Sequence, residues 1–588
     1  MLIKNTTFFF EGNVKMFLLG LLYFSIVIVF GFLSSCICCF PTKKRALFIF
    51  ILWTIPFLFW ITYSPLNVCE NRIIYSFPAD HDTNHDNWIP FWCSRKCDRP
   101  VKQPVNVEQL QNIVLNHNHI RVVGGGHSST ELQCPDENGI NVVLNRMCQF
   151  YGIENNVATF SGGCTVKYAQ KELLKNNFEL HGFGGIVEQT LAGSISTYLH
   201  GQHLIPFSNH LTALKAVLAN GSTISVSKTD EYFYAWPGSH GTLGIIYEVS
   251  FQVFNTEFVE CSTNKDASEL DFENSLQSEN IVGFEAKRLL SNDHYTVKTC
   301  VSSSQTDTNV IFEEKDNIFS AFLMDNIAIG SLMLIGGLFR AGTLYENTMQ
   351  NIVTTGTSQT GIVPSINDFR VAVSFNPHFD EEYTVPIKHC LSAIDELKKI
   401  QEAFGDPIHI FIRRIDNAVG FLNWSPIKSC AIRLEYFDYR RYNFIDHEIS
   451  FRKKIETLML SFNGSSHIGK LFYSNAKYLM KTSNIEKFES YRYLLDPNEK
   501  FQNSYTKEIR GLVVSRNHET LPKELETRRL IFKVVFFVAF GLTILQTLFT
   551  CVIARKKRIN EPNIDEITLS TLSVKQLENK AKIRATMR

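Results

Sequence analysis

The glycine-rich segment RVVGGGHSS, residues 121–129, constrains the fold more than any other part of this chain. Its three consecutive glycines, Gly124, Gly125 and Gly126, adopt backbone conformations closed to other residues and let main-chain N–H groups approach a ligand. Successive N–H groups in such a turn form an anion nest that suits the pyrophosphate of a dinucleotide. The spacing is neither the GxGxxG of a Rossmann turn nor a P-loop. A tight turn without a ligand explains the glycines alone equally well.

Three further glycine-containing segments follow this one along the chain. They read GFGG at 182–185, TLAGSISTYLHG at 190–201 and HGTLGII at 240–246. Together with GGGHS, their order and spacing resemble the FAD-binding half of the vanillyl-alcohol-oxidase type flavoproteins, over about residues 90–254. The resemblance implies an α+β fold, in which a PCMH-type domain of two lobes clasps the ADP part of FAD. A C-terminal substrate domain on an antiparallel sheet would follow, and apolar runs in the sequence predict flanking transmembrane helices.

The C-terminal half carries motifs of a narrower family. EYTVP at 382–386, HIGK at 467–470 and LDPNEKFQNSY at 495–505 resemble the EYAVP, HWGK and LDPxGxFxNxY elements of the aldonolactone oxidases. These are the L-gulono-, L-galactono- and D-arabinono-1,4-lactone oxidases, which make ascorbate or its five-carbon analogue with hydrogen peroxide as by-product. The resemblance implies FAD as cofactor, with a small sugar lactone and molecular oxygen as reactants.

The same resemblance assigns the cofactor-binding residues. His127 stands where family members with covalent FAD attach the 8α carbon, so we expect a covalent link through its neutral ring nitrogen. The alternative is an imidazole that only caps the turn. Hydroxyl groups in these segments could likewise satisfy local backbone groups instead of FAD. The predicted FAD-contacting residues are Gly124, Gly125, Gly126, His127, Ser128, Ser129, Gly184, Gly185, Gly193, Ser194, Thr197, Ile245 and Ile246.

The resemblance also gives roles near the reacting atoms. Gly184 matches the place where a glycine, in an oxidase, leaves an opening for oxygen beside the flavin, although a turn requirement explains a glycine too. Lys470 matches a lysine whose fixed positive charge would stabilise the reduced flavin, the alternative being a surface lysine. His467 would help to position substrate or flavin. Ile468 replaces the usual tryptophan, so an aromatic wall of the pocket is in doubt.

The largest departure from the family is the segment PIHIFIRR, where members commonly read PIEVRF. His409 replaces the glutamate and Phe411 the arginine. Period-two alternation puts His409, Phe411 and Arg413 on one strand face, so Arg413 could reach the pocket with His409 as a base poised near neutral pH. Alternatively, Arg414 and Asp416 match the family's downstream residues and the catalytic pair is absent. That would imply another substrate or lost activity.

Composition narrows the classes of partner. The formal net charge is zero, from 58 Lys+Arg and 58 Asp+Glu, and no basic stripe is interleaved with aromatics, so we expect no nucleic-acid partner. No CxxC pair with matching histidines indicates zinc, and no metal site is predicted. Ten cysteines lie between Cys69 and Cys430. They permit disulfides in an oxidising compartment, but the pairing cannot be inferred from the sequence.

Long apolar runs predict membrane-spanning helices at residues 16–40, 46–63 and 530–554. The first run is too long for a cleaved signal peptide, and a second run follows it directly. Basic clusters at 43–45 and 555–558 favour cytoplasmic loops after the first and third spans. Membrane lipid is therefore an expected partner.

This topology places both domains on the lumenal side of the endoplasmic reticulum or outside the cell. Lys15, Arg528 and Arg529 lie on the opposite flanks of the spans, so the charge pattern is mixed. The polar tail at 555–588 is predicted to be disordered and cytoplasmic. The glycosylation sequons all fall on the proposed lumenal side, at Asn5, Asn220, Asn423 and Asn463.

The predicted domains are an FAD-binding domain at 85–257 and a substrate domain at 258–515. A fourth apolar stretch at 319–339 interrupts the second domain and contains Asp325 and Asn326. A full span would bury the charge of Asp325 at a cost of a few kcal/mol. A segment lying in the membrane interface and a buried core helix both remain open.

The leading hypothesis is a membrane-anchored, FAD-dependent sugar-lactone oxidase. The altered HxFxR pattern favours, as an alternative enzyme, an oxidase of another polyol or carbohydrate. A hypothesis from another class is a flavin-binding membrane protein without turnover. The lost Glu-x-Arg pattern favours this hypothesis, whereas the retained His127, Gly184 and Lys470 argue against it.

Overall fold

The computed structural model describes one part of the chain in detail. The described residues are 77–78, 86–87, 99–128, 130–290, 293–305, 361–368, 378–404, 408–437, 445–467, 469–470 and 484–509. The chain divides into two compact units, Met1–Ser515 and Arg516–Arg588, and all described residues belong to the first. No helix within the described ranges is long and apolar enough to cross a membrane. The predicted spans, the 319–339 segment and the 555–588 tail all lie outside those ranges.

Helices and strands alternate irregularly along the chain, in agreement with the predicted α+β class. The helices are α1 (Val107–Asn116), α2 (Val166–Leu174), α3 (Leu191–Ser196), α4 (Glu269–Gln277), α5 (Ser365–Asp368), α6 (Cys390–Phe404), α7 (Ile445–Ser461), α8 (Ile485–Leu495) and α9 (Ser504–Ile509). The strands are β1 (Phe77–Pro78), β2 (Asp86–Asn87), β3 (Val101–Lys102), β4 (Ile120–Val122), β5 (Ile140–Val142), β6 (Phe150–Glu154), β7 (Val157–Ser161), β8 (Phe178–Glu179), β9 (Leu211–Val217), β10 (Thr223–Ser227), β11 (Ile245–Gln252), β12 (Phe254–Asn255), β13 (Phe258–Ala267), β14 (Gly283–Leu289), β15 (Tyr295–Ser302), β16 (Gly361–Pro364), β17 (His378–Pro386), β18 (His409–Ile415), β19 (Ser429–Phe437) and β20 (Ser465–Ser466).

The N-terminal domain consists of two lobes built on separate sheets. The first lobe has a parallel sheet in the order β3-β5-β4, covered by α1. Asn106 caps α1 by accepting a hydrogen bond from the Gln109 amide at 2.9 Å, and the helix buries Leu110 and Val114. The second lobe has an antiparallel sheet in the order β10-β9-β11-β7-β6. Its core also includes Val166 from α2 and Leu191 from α3.

The C-terminal domain is built on one sheet of eight strands in the order β16-β13-β15-β14-β18-β19-β17-β20. Alternate residues along its central strands point to opposite faces. Ile410 and Ile412 of β18 pack in an apolar cluster with Leu397 of α6 and Ile455 of α7. The other face carries polar side chains, because the residues between these isoleucines are His409, Phe411 and Arg413. The first strand of this sheet in chain order, β13, begins at Phe258.

A buried arginine ties the first lobe to distant parts of the chain. Arg121 of β4 is 2% exposed, and its guanidinium donates to the carbonyls of Leu132 at 2.8 Å and His240 at 2.6 Å. It also donates to the carbonyl of Phe501. Asp496 fixes the Phe501 segment, because its carboxylate accepts from the Phe501 amide at 2.9 Å. Five donors in a rigid fork make arginine suited to this position.

We expect the variant Arg121→Lys to lower the free energy of unfolding by about 3 kcal/mol, because one ammonium cannot satisfy carbonyls in several directions. Chemical denaturation of the purified protein measures the change. The matched variant Arg146→Lys alters an exposed arginine and is expected to change stability by no more than about 0.5 kcal/mol. Equal stability of the two variants would contradict this account of Arg121.

Candidate active site

A cavity lies at the GGGHS turn, where the first lobe meets α3 of the second. Of the predicted FAD-contacting residues, those that line it are Gly124, Gly125, Gly126, His127, Ser128, Gly193, Ser194, Thr197 and Ile246. Residues from separate segments, such as Gln133, Gly163 and Gly241, complete the wall. The structure therefore brings three of the four glycine motifs to one cavity.

Local geometry explains the glycines in the turn. Gly126 has a φ of +69°, a left-handed conformation that favours glycine. A Cβ added at Gly124 would collide with the hydroxyl of Thr190. That hydroxyl caps α3 by accepting a hydrogen bond from the Gly193 amide at 3.3 Å. The turn and α3 thus approach each other more closely than any other residue at position 124 would allow.

The polar groups of this cavity fit the phosphate and ribitol chain of FAD. The hydroxyl of Ser194, a residue that is 2% exposed, has no hydrogen-bond partner among the described residues. The same holds for the side-chain oxygen of Gln189, which also lines the cavity. A buried polar atom without a partner costs free energy, and a polar ligand in the cavity removes that cost. Together with the close approach of the backbone at Gly124, these two atoms match a dinucleotide.

Three of the described residues that were predicted to contact FAD do not line the cavity. Ile245 points away from it and packs in the core of the first lobe with Leu110 and Val114. Gly184 and Gly185 are buried, and a Cβ added at Gly184 would lie 2.7 Å from Leu199 Cδ1 and 3.3 Å from the His200 carbonyl oxygen. Ser129 lies outside the described residues.

A second group of polar side chains meets at the end of the α3 segment. His200, Glu382 of β17 and His467 are all buried, and their ligand atoms lie within 4.8 Å of one another. The Nε2 atom of His200 is 3.0 Å from the Glu382 carboxylate. Trp424 packs edge-on against His467, with ring centroids 4.7 Å apart.

Electrostatics keep Glu382 ionised. Burial by itself raises the pKa of this carboxyl, but His200, through its charge and its hydrogen bond, and then His467 and Lys470 hold the pKa well below its usual value. The carboxylate therefore accepts the His200 Nε2 proton. Trp424 and Thr384 fix the strand beneath it, since the Thr384 hydroxyl donates to the Trp424 carbonyl at 2.5 Å.

The HIGK loop connects this group to the GGGHS turn. The Gly469 amide donates to His467 Nδ1 at 3.1 Å, and a Cβ added at Gly469 would lie 3.6 Å from the Ser128 hydroxyl. Removal from water, and then the charge of Lys470, lower the pKa of His127 to about 4. The imidazole of His127 is therefore neutral at physiological pH. The two predicted catalytic residues of the loop thus lie beside the cavity.

The altered strand segment lies on the polar face of the large sheet. As the alternation predicts, His409, Phe411 and Arg413 share this face, where they pair with Leu289, Lys287 and Glu285 of β14. Arg413 Nη2 is 3.1 Å from the Glu285 carboxylate. The Lys287 ammonium lies over the Phe411 ring, 4.9 Å from its centroid, and His409 is 2% exposed against the same ring.

Glu382 belongs to the same polar face. It pairs with Arg433 of β19, which pairs in turn with Phe411 of β18. Neighbouring strands are about 4.8 Å apart, so the backbones at Glu382 and Phe411 are separated by roughly 10 Å. Arg413 lies two residues further along β18 and pairs with Ala431 of β19, which pairs in turn with Thr384 of β17.

Arg414 and Asp416, the two residues of the alternative alignment, form a buried network that stabilises the fold. Arg414 is 1% exposed and forms two hydrogen bonds with the Asp416 carboxylate, each 2.8 Å long. It also donates to the carbonyls of Leu276 and Ser278 at the end of α4. This network ties β18 to α4 on the face opposite Arg413.

Three residues at the site were not predicted from the sequence: His200, Glu382 and Trp424. His200 and Glu382 lie within motifs quoted above, but they are 182 positions apart and only the fold brings them together. A buried histidine beside a glycine-rich run is a weak signal by itself. Trp424 has no sequence signal that separates it from a core tryptophan.

Comparison with known proteins agrees with this architecture. Residues 100–227 match the family described as FAD binding domain, and residues 294–509 match the family described as D-arabinono-1,4-lactone oxidase. The two matches, in this order along the chain, are consistent with the aldonolactone oxidase family. The chain is an FAD-dependent oxidoreductase of the class that acts on CH–OH groups.

Relatives in this family are distant in sequence. L-gulono-1,4-lactone dehydrogenase of Mycobacterium tuberculosis is 22% identical over 430 residues, covering 70% of this chain and 95% of that protein. D-arabinono-1,4-lactone oxidase of Candida albicans is 28% identical over 193 residues, or 29% of this chain and 34% of that protein. The solved structure of cholesterol oxidase from Brevibacterium sterolicum has a TM-score of 0.56 at 14% identity, covering 70% of this chain and 94% of that one. This last likeness shows a shared fold.

We expect Gly124→Ala to reduce the flavin content of the purified protein about tenfold, equivalent to 1.4 kcal/mol. The added methyl displaces Thr190 and closes the approach of the turn to α3. Flavin absorbance per protein measures the change. Glu154→Ala is the control, because Glu154 is exposed at the end of β6 and lies outside the cavity. Wild-type flavin content in Gly124→Ala would remove this turn from the FAD site.

Proposed function

We propose that this protein is a membrane-anchored oxidase that converts an aldono-1,4-lactone to an ascorbate-like enol-lactone and reduces molecular oxygen to hydrogen peroxide. The observation that carries the proposal is the buried His200–Glu382–His467 group, with Lys470 beside it, at the GGGHS turn. It combines a proton acceptor and a fixed positive charge next to the cavity that fits FAD. The names of the relatives, lactone oxidases and dehydrogenases, support the same substrate class.

The base in this proposal is His200. Its Nε2 atom faces the ionised Glu382, which fixes the proton on that nitrogen. Nδ1 is then the acceptor nitrogen, and it has no hydrogen-bond partner among the described residues. His200 Nδ1 takes the proton of the substrate hydroxyl, and Glu382 stabilises the imidazolium that forms. His409, the base considered from sequence, packs against Phe411 and is the alternative.

FAD, when bound, supplies the acceptor for the hydride that leaves the substrate carbon. The residues that would hold it are those of the cavity, with Ser194 and Gln189 as hydrogen-bonding groups. Lys470 contributes a positive charge where negative charge develops during the reaction. His467 receives a hydrogen bond from Gly469 and so fixes the loop that carries this lysine.

Use of oxygen as electron acceptor is supported by Gly184. A side chain at this position would press on Leu199 and on the backbone of His200. The support is the match of Gly184 to the glycine that oxidases of the family carry at this place, since Leu199 and the His200 backbone occupy the surrounding space. In the alternative, the glycine serves only the packing of this turn against Leu199.

One observation favours a second candidate function. Phe411 lies on the polar face between the cations of Lys287 and Arg433, at 4.9 and 5.7 Å from its centroid, where the family motif has an arginine. An apolar ring there changes the surface next to Glu382. Under this alternative the enzyme oxidises another polyol or carbohydrate by the same hydride and proton transfers.

We expect Lys470→Met and Glu382→Gln each to lower the turnover number for the lactone about 100-fold with unchanged flavin content. Steady-state peroxide formation measures this. Lys398→Met is the control, because Lys398 of α6 pairs with the exposed Asp293 and lies away from the site. Arg413→Met distinguishes the alternatives: a loss there without one in Glu382→Gln assigns proton transfer to the β18 residues. Unchanged turnover in all three site variants means that the site is misassigned.

We also propose that FAD is bound covalently through His127. The imidazole lines the cavity and is neutral at physiological pH, because removal from water and Lys470 lower its pKa to about 4. A neutral ring nitrogen can act as a nucleophile, whereas an imidazolium cannot.

Denaturation distinguishes a covalent from a noncovalent cofactor. We expect flavin fluorescence to remain with the wild-type polypeptide after denaturing gel electrophoresis. In His127→Asn it should be lost completely, because no other nucleophile replaces the ring nitrogen. His117→Asn, which changes the histidine directly after α1 and outside the cavity, is expected to retain it. Release of flavin from denatured wild-type protein would show that the link does not exist.

Lumenal or extracellular placement of both domains is a further part of the proposal, with the membrane-spanning helices that the sequence predicts. Disulfide bridges support it: Cys148–Cys164, Cys261–Cys300 and Cys390–Cys430. Such bonds form and persist in oxidising compartments.

Glycosylation tests the proposed side of the membrane. Asn220 and Asn463 are exposed, whereas Asn423 is 6% exposed and its side-chain nitrogen donates to the Ala418 carbonyl. We therefore expect Asn220→Gln and Asn463→Gln each to remove one glycan, and Asn423→Gln to remove none. Gel mobility before and after glycosidase treatment measures this. A wild-type protein without glycans at either exposed site would place these domains in the cytoplasm.

A further inference from the structure

We propose that His181, His203 and Glu257 form a zinc-binding site where the FAD-binding domain joins the first strands of the large sheet. The site is separate from the FAD cavity and independent of the proposed reaction. His181 follows β8, and Glu257 lies between β12 and β13. His203 pairs with Gly283 at the start of β14. The three side chains therefore come from three segments that only the fold brings together.

The spacing of the three side chains is close to that of a metal-ligand set. Their ligand atoms all lie within 4.8 Å of one another, and His181 Nε2 is 3.5 Å from the Glu257 carboxylate. Ligands at about 2.1 Å from a tetrahedral zinc ion are roughly 3.4 Å apart. Coordination therefore requires the ligand atoms to move closer together and one imidazole to rotate, with a water molecule in the fourth position.

Packing fixes the rings in this arrangement. His181 stacks on His203 with centroids 4.5 Å apart, and Phe254 of β12 also stacks on His181 at 4.2 Å. His210 approaches the same ring edge-on at 6.2 Å. The rings of His181 and His203 are inclined by only 18°, so one imidazole turns out of the stack when nitrogens of both bind one ion.

The neighbouring charges and buried atoms favour a cation. Glu179 is 1% exposed; one of its carboxylate oxygens is 2.9 Å from His181 Nε2 and accepts from the Ser365 hydroxyl at 2.5 Å. Its other oxygen is buried without a hydrogen-bond partner among the described residues, and so is Nε2 of His210. A dication next to Glu179 and Glu257 balances two buried negative charges, which are costly alone.

The chemistry of the ligands selects the metal. Two imidazoles and one carboxylate suit zinc, whereas magnesium and calcium prefer oxygen ligands alone. Binding exchanges the contact of His181 Nε2 with Glu179 for a bond to the metal, and the proton on that nitrogen leaves to solvent. Glu179 then remains as the neighbour that compensates the charge of the ion. The metal joins the two domains and takes no part in the reaction.

Metal analysis of the full-length, flavin-containing protein in detergent tests the proposal. We expect one zinc ion per chain after incubation with zinc chloride and removal of free metal. His181→Ala and Glu257→Gln should each reduce the bound zinc at least about tenfold. Glu257→Gln keeps the shape of the side chain, so it tests the site even where His181→Ala fails to fold. Flavin absorbance serves as the readout of folding in every variant.

Two controls separate this site from other zinc-binding groups. His294→Ala changes an exposed histidine that pairs with Asp266, and Glu382→Gln changes the other His/Glu group. Both variants should retain the wild-type zinc content. The proposal is overturned where the wild-type protein binds no zinc, where Glu257→Gln retains all of it, or where Glu382→Gln loses it.

Discussion

The buried guanidinium of Arg121 is the interaction on which the rest of the site depends. Arg121 directly precedes Val122 and Val123, which lead into the GGGHS turn. Its guanidinium donates hydrogen bonds to the carbonyls of His240 and Phe501. Segments more than a hundred residues apart are therefore fixed at the base of the FAD cavity. The LDPN motif acts through the same contact, because Asp496 positions the Phe501 backbone that the arginine binds.

One face of the large sheet contributes to stability, and the other carries the polar residues of the candidate site. One face buries isoleucines such as Ile410 and Ile412 against α6 and α7. The other face carries charged groups in ion pairs, and both Lys287 and Arg413 pair with Glu285. Burial raises the pKa of the Glu285 carboxyl, but these two cations lower it to about 2. Glu382 stands on this polar face and meets His200 from the FAD-binding domain. The candidate site thus exists only where the two domains are in contact.

The sequence predicted what short-range patterns determine. The glycine motifs and HIGK are local, and strand alternation was enough to place His409, Phe411 and Arg413 on one face. Adjacent strand residues point to opposite faces, so of Ile245 and Ile246 only Ile246 lines the cavity. The pairing of His200 with Glu382, and the group around His181, depend on contacts across the fold that no local pattern encodes.

The proposed reaction is the oxidation of a sugar lactone by a flavin bound in this fold. The most direct measurement is the flavin absorbance of the detergent-purified protein, mixed without oxygen with L-gulono-, L-galactono- or D-arabinono-1,4-lactone. We expect at least one of these lactones to bleach the flavin band, and readmitted oxygen to restore the band with formation of peroxide. An intact flavin band that none of the three lactones bleaches would contradict the lactone assignment while leaving the cofactor fold in place.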